Sequence, residues 1–293
     1  MVINSLIEFI EKVALHRGMT IYSNAINSAS IFRGQSNAEW QLQPSVFRNE
    51  EGIHEAALMR EFERQNPIEF SGLTNIQKII KMQHYGLPTR LLDFSLNPLV
   101  ALYFACSDSS TDGAVFALHG YPLHNEEKSW ISIVAKALYE YELKNICIQD
   151  VLQEILTEPS KYPSISVESS CTEKDICRLL EFNAIGFLPK LTNPRIAAQE
   201  GVFLIMGNKL HNTKSVANRT YFSYKNVPPL DVKEIWKNGM KYIIPKEAKE
   251  QIRDDLRKIG VHGGKLFPEL ASQSQHIERL IYSTNWTHMG KIE

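Results

Sequence analysis

The chain has 293 residues, 43% of them apolar, and a formal charge of −1. That length supports one large domain or two modest ones, and the charge balance excludes a global pull toward nucleic acid or membrane. Met1 to His16 carries Glu8, Glu11 and Lys12 among its apolar residues, which does not read as a signal peptide. No apolar run approaches the roughly 20 residues of a membrane span; the longest is Leu99 to Cys106. The four cysteines (Cys106, Cys147, Cys171, Cys177) form no Cys-x-x-Cys pair. Cys106 lies in an apolar helical pattern, so a buried, reduced thiol and a cytoplasmic protein are expected.

In chain order, Leu6, Phe9, Ile10, Val13 and Ala14 repeat with helical spacing and predict an amphipathic first helix that Gly18 ends. Ile31 to Gly34 reads as a short strand leading to a turn, with Trp40, Leu42 and Pro44 beyond. His54 to Asn66 and Leu73 to His84 read as helices, the second closing at Gly86 and Pro88. Asn97-Pro98 is a helix start, with Asn as cap and Pro where its missing N–H is harmless. Gly113 to His119 follows as a strand buried on both faces. Ile131 to Leu143, Ile148 to Leu156 and Thr172 to Phe182 read as helices around a loop at Pro159 to Ser170. Strands return at Ala184 to Leu188 and Gly201 to Met206. The last third offers strands at Arg219 to Phe222 and Lys241 to Ile244, then a helix from Lys246 to Ile259. No repeat or linker demands a domain boundary, so the middle helices are expected as an insertion in, or a cap on, one mixed α+β domain.

Three patches carry the polar groups that a folding core would not accept unpaired. In the first, strand alternation sends Phe32 and Arg33 to opposite faces, freeing Arg33 to enter a cleft beside Gly34, which permits close backbone approach or a positive φ. A guanidinium suits a phosphate or carboxylate; the structural alternative pairs Arg33 with Asp93 or a Glu. The second patch, His84 to Asp93, presents His84, Tyr85, Thr89, Arg90 and Asp93 on a loop stiffened by Gly86 and Pro88. Asp93 or Ser95 also suits the free N–H groups that begin the Pro98 helix. In the third, a turn carrying Arg195 runs into a strand whose mouth bears Gln199 and Glu200. Alternation puts Gln199, Gly201 and Phe203 on one face and Glu200 and Val202 on the other, so one polar residue of the pair enters a cleft. A single His without a second ligand at metal spacing predicts no metal site.

No nucleotide-triphosphate loop, no Gly-x-Gly-x-x-Gly and no Gly-x-Ser-x-Gly elbow is present. Phe32-Arg33-Gly34-Gln35, His84-Tyr85-Gly86-Leu87-Pro88-Thr89-Arg90-Leu91-Leu92-Asp93, Asn97-Pro98 and Ala101-Leu102-Tyr103-Phe104-Ala105 together resemble the FRG-domain family. Arg195, Gln199 and Gly201-Val202-Phe203 are similar to its downstream motif, and Gly260-Val261 with Leu266 to Leu270 to its closing one. The resemblance runs from about Ser30 to Leu270 and implies a single domain over 1–293, with a helical insertion at about 121–183.

The family occurs in bacterial and phage proteins, in settings suggestive of toxins or phage defence, and its motif order is distantly similar to that of ADP-ribosyltransferases. The resemblance therefore implies an ADP-ribosyltransferase-like core of two small packed sheets with flanking helices, and NAD as substrate in the cleft between them. Arg33, Asp93, Gln199 and Glu200 would be catalytic. Arg33, Gly34, Gln35, His84, Tyr85, Thr89, Arg90 and Ser95 would hold the nucleotide, Tyr85 by stacking on the nicotinamide ring. The acceptor would be a protein or nucleic acid. The chain lacks a Ser-Thr-Ser strand, and Gln199-Glu200 is not the Glu/Gln-x-Glu spacing of those transferases. Two other readings follow: a non-catalytic pocket for a nucleotide-like ligand or a nucleic-acid end, clamped by Arg33 and Arg90, and a regulator acting on a partner protein.

Overall fold

A computed structural model describes residues 1–16, 27–48, 55–126, 129–140, 146–157, 184–206, 209–216, 219–225 and 231–269. The expected helix at Thr172 to Phe182 lies outside them. The described residues form a mixed α+β fold with one six-stranded sheet, flanking helices and a smaller three-stranded sheet.

The large sheet is built from β1 (Asn27–Gln35), β2 (Leu91–Ser95), β3 (Gly113–Asn125), β5 (Ala184–Leu188), β6 (Gly201–Met206) and β9 (Gly239–Ile244), in the order β1-β2-β6-β5-β3-β9. Because β1 also pairs with β3, five of these strands close into a ring. A bulge in β3 makes this closure work. Opposite Ser30, the register slips at His119 and Gly120, where Gly120 takes a φ of +65°. Before the bulge, Gly113 to Leu118 pairs with β9; after it, Leu123 to Asn125 pairs in parallel with β5. One long strand thus changes partner on one side while keeping β1 on the other.

Side-chain alternation fills the ring and coats it. Leu92, Phe94, Ala114, Phe116, Leu118, Val202, Leu204 and Met206 point to the interior core. Their neighbours point outward into two separate layers. Leu91, Phe203 and Ile205 meet α4 (Asn75–His84) and α6 (Ser129–Glu140), while Phe32, Val115 and Ala117 meet α1 (Leu6–His16), α5 (Pro98–Ala105) and α10 (Lys246–Lys258). Burial on both faces is why β3 reads as an unbroken apolar run. Each fully buried Leu, Ile or Phe in these layers contributes about 1.5–3 kcal/mol.

Several expectations are corrected. Leu91 to Ser95 is a strand rather than a stiff loop, β1 begins at Asn27, and β3 runs on to Asn125 within the stretch expected as a helical insertion. In that same stretch α6 is not a cap: Ile131, Val134 and Ala135 pack with Ile76, Ile79 and Ile80 of α4 in one core. The three-stranded sheet, β4 (Ile146–Cys147), β8 (Arg219–Lys225) and β7 (Lys209–Val216), contains a strand, β7, that the sequence reading missed. Cys106 and Cys147 are buried and free, and burial pushes the Cys106 thiol up to about 12. No helix among the described residues is long and apolar enough to cross a membrane.

Gly34 fixes where α5 lies. A Cβ there would come within 1.8 Å of the Ala101 carbonyl oxygen and 2.7 Å of the Ala105 nitrogen. Gly113 on the neighbouring strand is nearly as tight, at 2.2 Å from the Ala105 carbonyl oxygen. Both obstacles are helix backbone, which cannot rotate aside. Gly34→Ala should therefore cost about 3 kcal/mol or more through displacement of α5, read as a lower urea midpoint at unchanged slope.

Candidate functional site

Where β1 and β2 meet, they share a single register pair, Phe32 with Ser95. Beyond it the Arg33 guanidinium takes the place of a backbone ladder: Nη1 donates to the Asp93 carbonyl at 2.7 Å and lies 3.8 Å from the Asp93 carboxylate. The Arg33 side chain is 16% exposed, and its Nε is buried with no hydrogen-bond partner. Burial lowers the guanidinium's pKa, Asp93 partly restores it, and Arg48 lowers it further.

Beside this pair opens a cavity of about 260 Å³. Its walls are Phe32, Arg33 and Gly34 of β1, Ile80, Gln83 and His84 of α4, Asp93, Phe94 and Ser95 of β2, and Val100, Ala101 and Phe104 of α5. The far side is Arg195 and Ile196 of α8 (Pro194–Ala198), then Gln199 and the start of β6. Two Asn-Pro pairs set the flanking helices. Asn97 Oδ1 accepts from the Leu99 N–H, and Asn193 Oδ1 accepts from the Arg195 N–H, each with Pro at the first turn. Among the described residues no lining residue comes from the three-stranded sheet, and the cleft lies outside the ring between α4, α5 and α8 rather than between two packed sheets.

Six of the expected residues line this cavity: Arg33, Gly34, His84, Asp93, Ser95 and Gln199. Asp93 faces outward from β2 and is 63% exposed. Gln83 Nε2 donates to its Oδ1 at 2.7 Å, and the Thr89 hydroxyl donates to Gln83 Oε1, which fixes the amide in that orientation. Ser95 Oγ donates to the Gln199 carbonyl at 2.7 Å and accepts from the Asn97 N–H at 2.9 Å, tying β2 to the turn before β6. Gln199 is the C-cap residue of α8 rather than a strand residue, and its Nε2 donates to the Leu266 carbonyl at 3.0 Å.

The other five do not line it. Glu200 has a left-handed backbone, φ +48°, which reverses the chain between α8 and β6. That turn sends its carboxylate away to accept from Asn97 Nδ2 at 2.9 Å. Thr89 is fully buried behind Gln83. Gln35 is buried near Gln41, and Tyr85 is exposed on the rim with its ring edge against His84. Arg90, expected as an anion clamp, is fully buried: Nε and Nη2 both donate to Glu55 Oε2, at 2.9 and 2.6 Å, and Nη1 donates to the Met206 carbonyl. Its guanidinium also stacks over Phe47, 5.3 Å from the ring centroid.

Sequence reasoning missed Gln83, whose role needs Thr89 and Asp93 in three dimensions, and left Arg195 out of the site. The Arg195 guanidinium lies 4.8 Å over the Phe267 ring, and Phe267 packs edge-on to Phe104. Glu269 follows, 3.6 Å from His84 Nε2, with both carboxylate oxygens buried and without a hydrogen-bond donor. His84 is held below its usual range first by burial, then by Arg195, against the opposite pull of Glu269.

A family model described as FRG domain matches residues 28–113. That segment covers β1, α4, β2 and α5, hence Arg33, Gly34, Gln83, His84, Asp93 and Ser95; Arg195, Gln199 and Glu269 lie beyond it. No curated protein and no solved structure matches the chain.

The Arg90–Glu55 pair makes a separable prediction. Arg90→Met should cost about 3–5 kcal/mol by stranding a buried carboxylate, and Arg90→Met with Glu55→Leu should recover most of that loss. Thermal unfolding of the single and double variants reads both steps.

Proposed function

We propose that the chain is a NAD-dependent ADP-ribosyltransferase-like enzyme that modifies a macromolecule, as a toxin or phage-defence effector would. The observation that carries this reading is the convergence of Arg33, His84, Asp93 and Gln199 on one cavity from widely separated stretches of chain. The residues present fit such a ligand. Arg33 and Arg195 offer planar donors to a pyrophosphate, and Ile80, Val100, Ala101, Phe104 and Ile196 offer an apolar wall to a flat ring. At about 260 Å³ the cavity suits one half of a dinucleotide, with the other half on the rim near Tyr85.

NAD supplies a ribose carbon that carries a cationic leaving group. Against the positive charge that grows as that group departs, Asp93 is the carboxylate the cavity wall offers, oriented by Gln83. Arg33 lies 3.8 Å from the Asp93 carboxylate and pairs with it, and the walls of α5 and α8 hold an acceptor in place. Gln199 serves as a positioning group through its bonds to Ser95 and Leu266. A cytoplasmic setting agrees with the free, buried Cys106 and Cys147.

The second reading is a receptor pocket for a nucleotide-like anion without turnover. It draws on the placement of Glu200, whose carboxylate points to Asn97 and leaves the neutral Gln199 in the cavity. Labelled NAD incubated with the protein, alone and with cell lysate, distinguishes the two. The enzyme releases nicotinamide or transfers label, Asp93→Asn loses at least tenfold, and Arg195→Ala raises KM about tenfold. Thermal stabilisation by NAD or ADP-ribose with no turnover favours the receptor; neither turnover nor stabilisation defeats both.

A further inference from the structure

The Glu269 carboxylate is the least served polar group near the cavity. Both of its oxygens are buried, and neither accepts a hydrogen bond. A carboxylate withdrawn from water without donors is costly, and among the described residues the His84 imidazole Nε2 lies 3.6 Å from it. The segment that brings it there is well anchored. Leu266 accepts from Gln199, and Phe267 is held between Arg195 and Phe104. With Nε2 directed to Glu269, Nδ1 is the ring nitrogen left for the cavity that His84 lines.

We propose that His84 is the proton acceptor of the site and that Glu269 is its positioning residue, an inference that rests on the transferase reading above. The acceptor is then a neutral O–H group, an alcohol or water. As its oxygen bonds to the ribose carbon, the carbon–nitrogen bond to nicotinamide breaks and that electron pair leaves on nicotinamide. The acceptor's proton passes to His84 Nδ1. Glu269 holds the Nε2–H tautomer beforehand and faces the imidazolium afterwards. The charged and titratable groups facing His84 are Arg195 and Glu269, with the Tyr85 ring at its edge. Burial and then Arg195 favour the neutral imidazole, the form a base needs.

The test has two arms on the 293-residue chain. In the first, nitrogen-detected NMR reads the tautomer and titration of His84. Wild type should show the Nε2–H form. Glu269→Gln should lower the titration midpoint by removing the carboxylate that raises it, and Arg195→Gln should raise it by removing the cation that lowers it. An unmoved midpoint in Glu269→Gln, or the Nδ1–H form in wild type, overturns the pairing. In the second arm, nicotinamide release from NAD is followed against pH. The acid limb of kcat/KM should move with the NMR midpoint in each variant, and His84→Asn should lose about 10²–10⁴-fold. Undiminished release by a folded His84→Asn protein overturns the proposal and leaves the transferase reading intact. No release by wild type with any acceptor defeats that reading and the base role together, whatever the first arm shows of the pair.

Discussion

The structure depends on one close approach, that of the α5 backbone to β1 and β3. Gly34 and Gly113 let the Ala101 and Ala105 carbonyls come to where a side chain would otherwise be. The helix that fits there has little polar surface of its own: Val100, Ala101, Leu102 and Ala105 are buried. Its position brings Val100, Ala101 and Phe104 to the cavity as one wall, directly across from α4. The Phe-Arg-Gly triplet is therefore a packing device and a site device at once. Phe32 fills the outer core, Arg33 enters the gap between strands, and Gly34 seats the helix that encloses it.

The cavity arises because β1 and β2 barely pair. A full ladder along Arg33 and Gly34 would have closed the wall of the ring. Instead one pair, Phe32 with Ser95, joins the two strands, and the Arg33 guanidinium satisfies the Asp93 carbonyl beyond it. A main-chain bond is replaced here by a side-chain bond that carries charge into the opening. Lys249 does similar work on the opposite side of α5, where its buried Nζ donates to the Ser36 and Asp108 carbonyls. There the charge is spent on backbone. At Arg33 the buried, unpartnered Nε leaves donor capacity unspent beside a hollow.

Much of this was legible in the sequence, for physical reasons that differ by element. Helices α1 and α4 announced themselves by apolar period and a glycine at the end, and the Asn-Pro pair fixed the start of α5. Face alternation says that one of Gln199 and Glu200 enters a cleft and leaves open which; the residue in the cavity is Gln199. Yet it arrives there by a helix cap and a left-handed turn at Glu200, which period-2 reasoning does not contain. The strand at Leu91 to Ser95 was hidden because it is short and flanked by turn residues. Arg90 misled because a buried ion pair and an anion clamp place the same residue type in the same apolar setting. Only the partner, Glu55, separates them, 35 residues away.

The distribution of carboxylates narrows what kind of ligand the cavity suits. Glu55 is paired with Arg90, and Glu200 is turned outward to Asn97, so neither bears on the site. Asp93 on one wall and Arg33 and Arg195 around it produce a field that changes sign across a space of about 260 Å³. A simple anion would be drawn to the guanidinium groups and repelled by Asp93, and a simple cation the reverse. A ligand carrying a phosphate at one end and a developing positive charge a few bonds away meets both groups favourably. That pairing of opposite charges is a demanding condition, and the proposed dipolar nucleotide meets it where an inorganic anion does not, with Gln83 and Thr89 holding the orientation of Asp93.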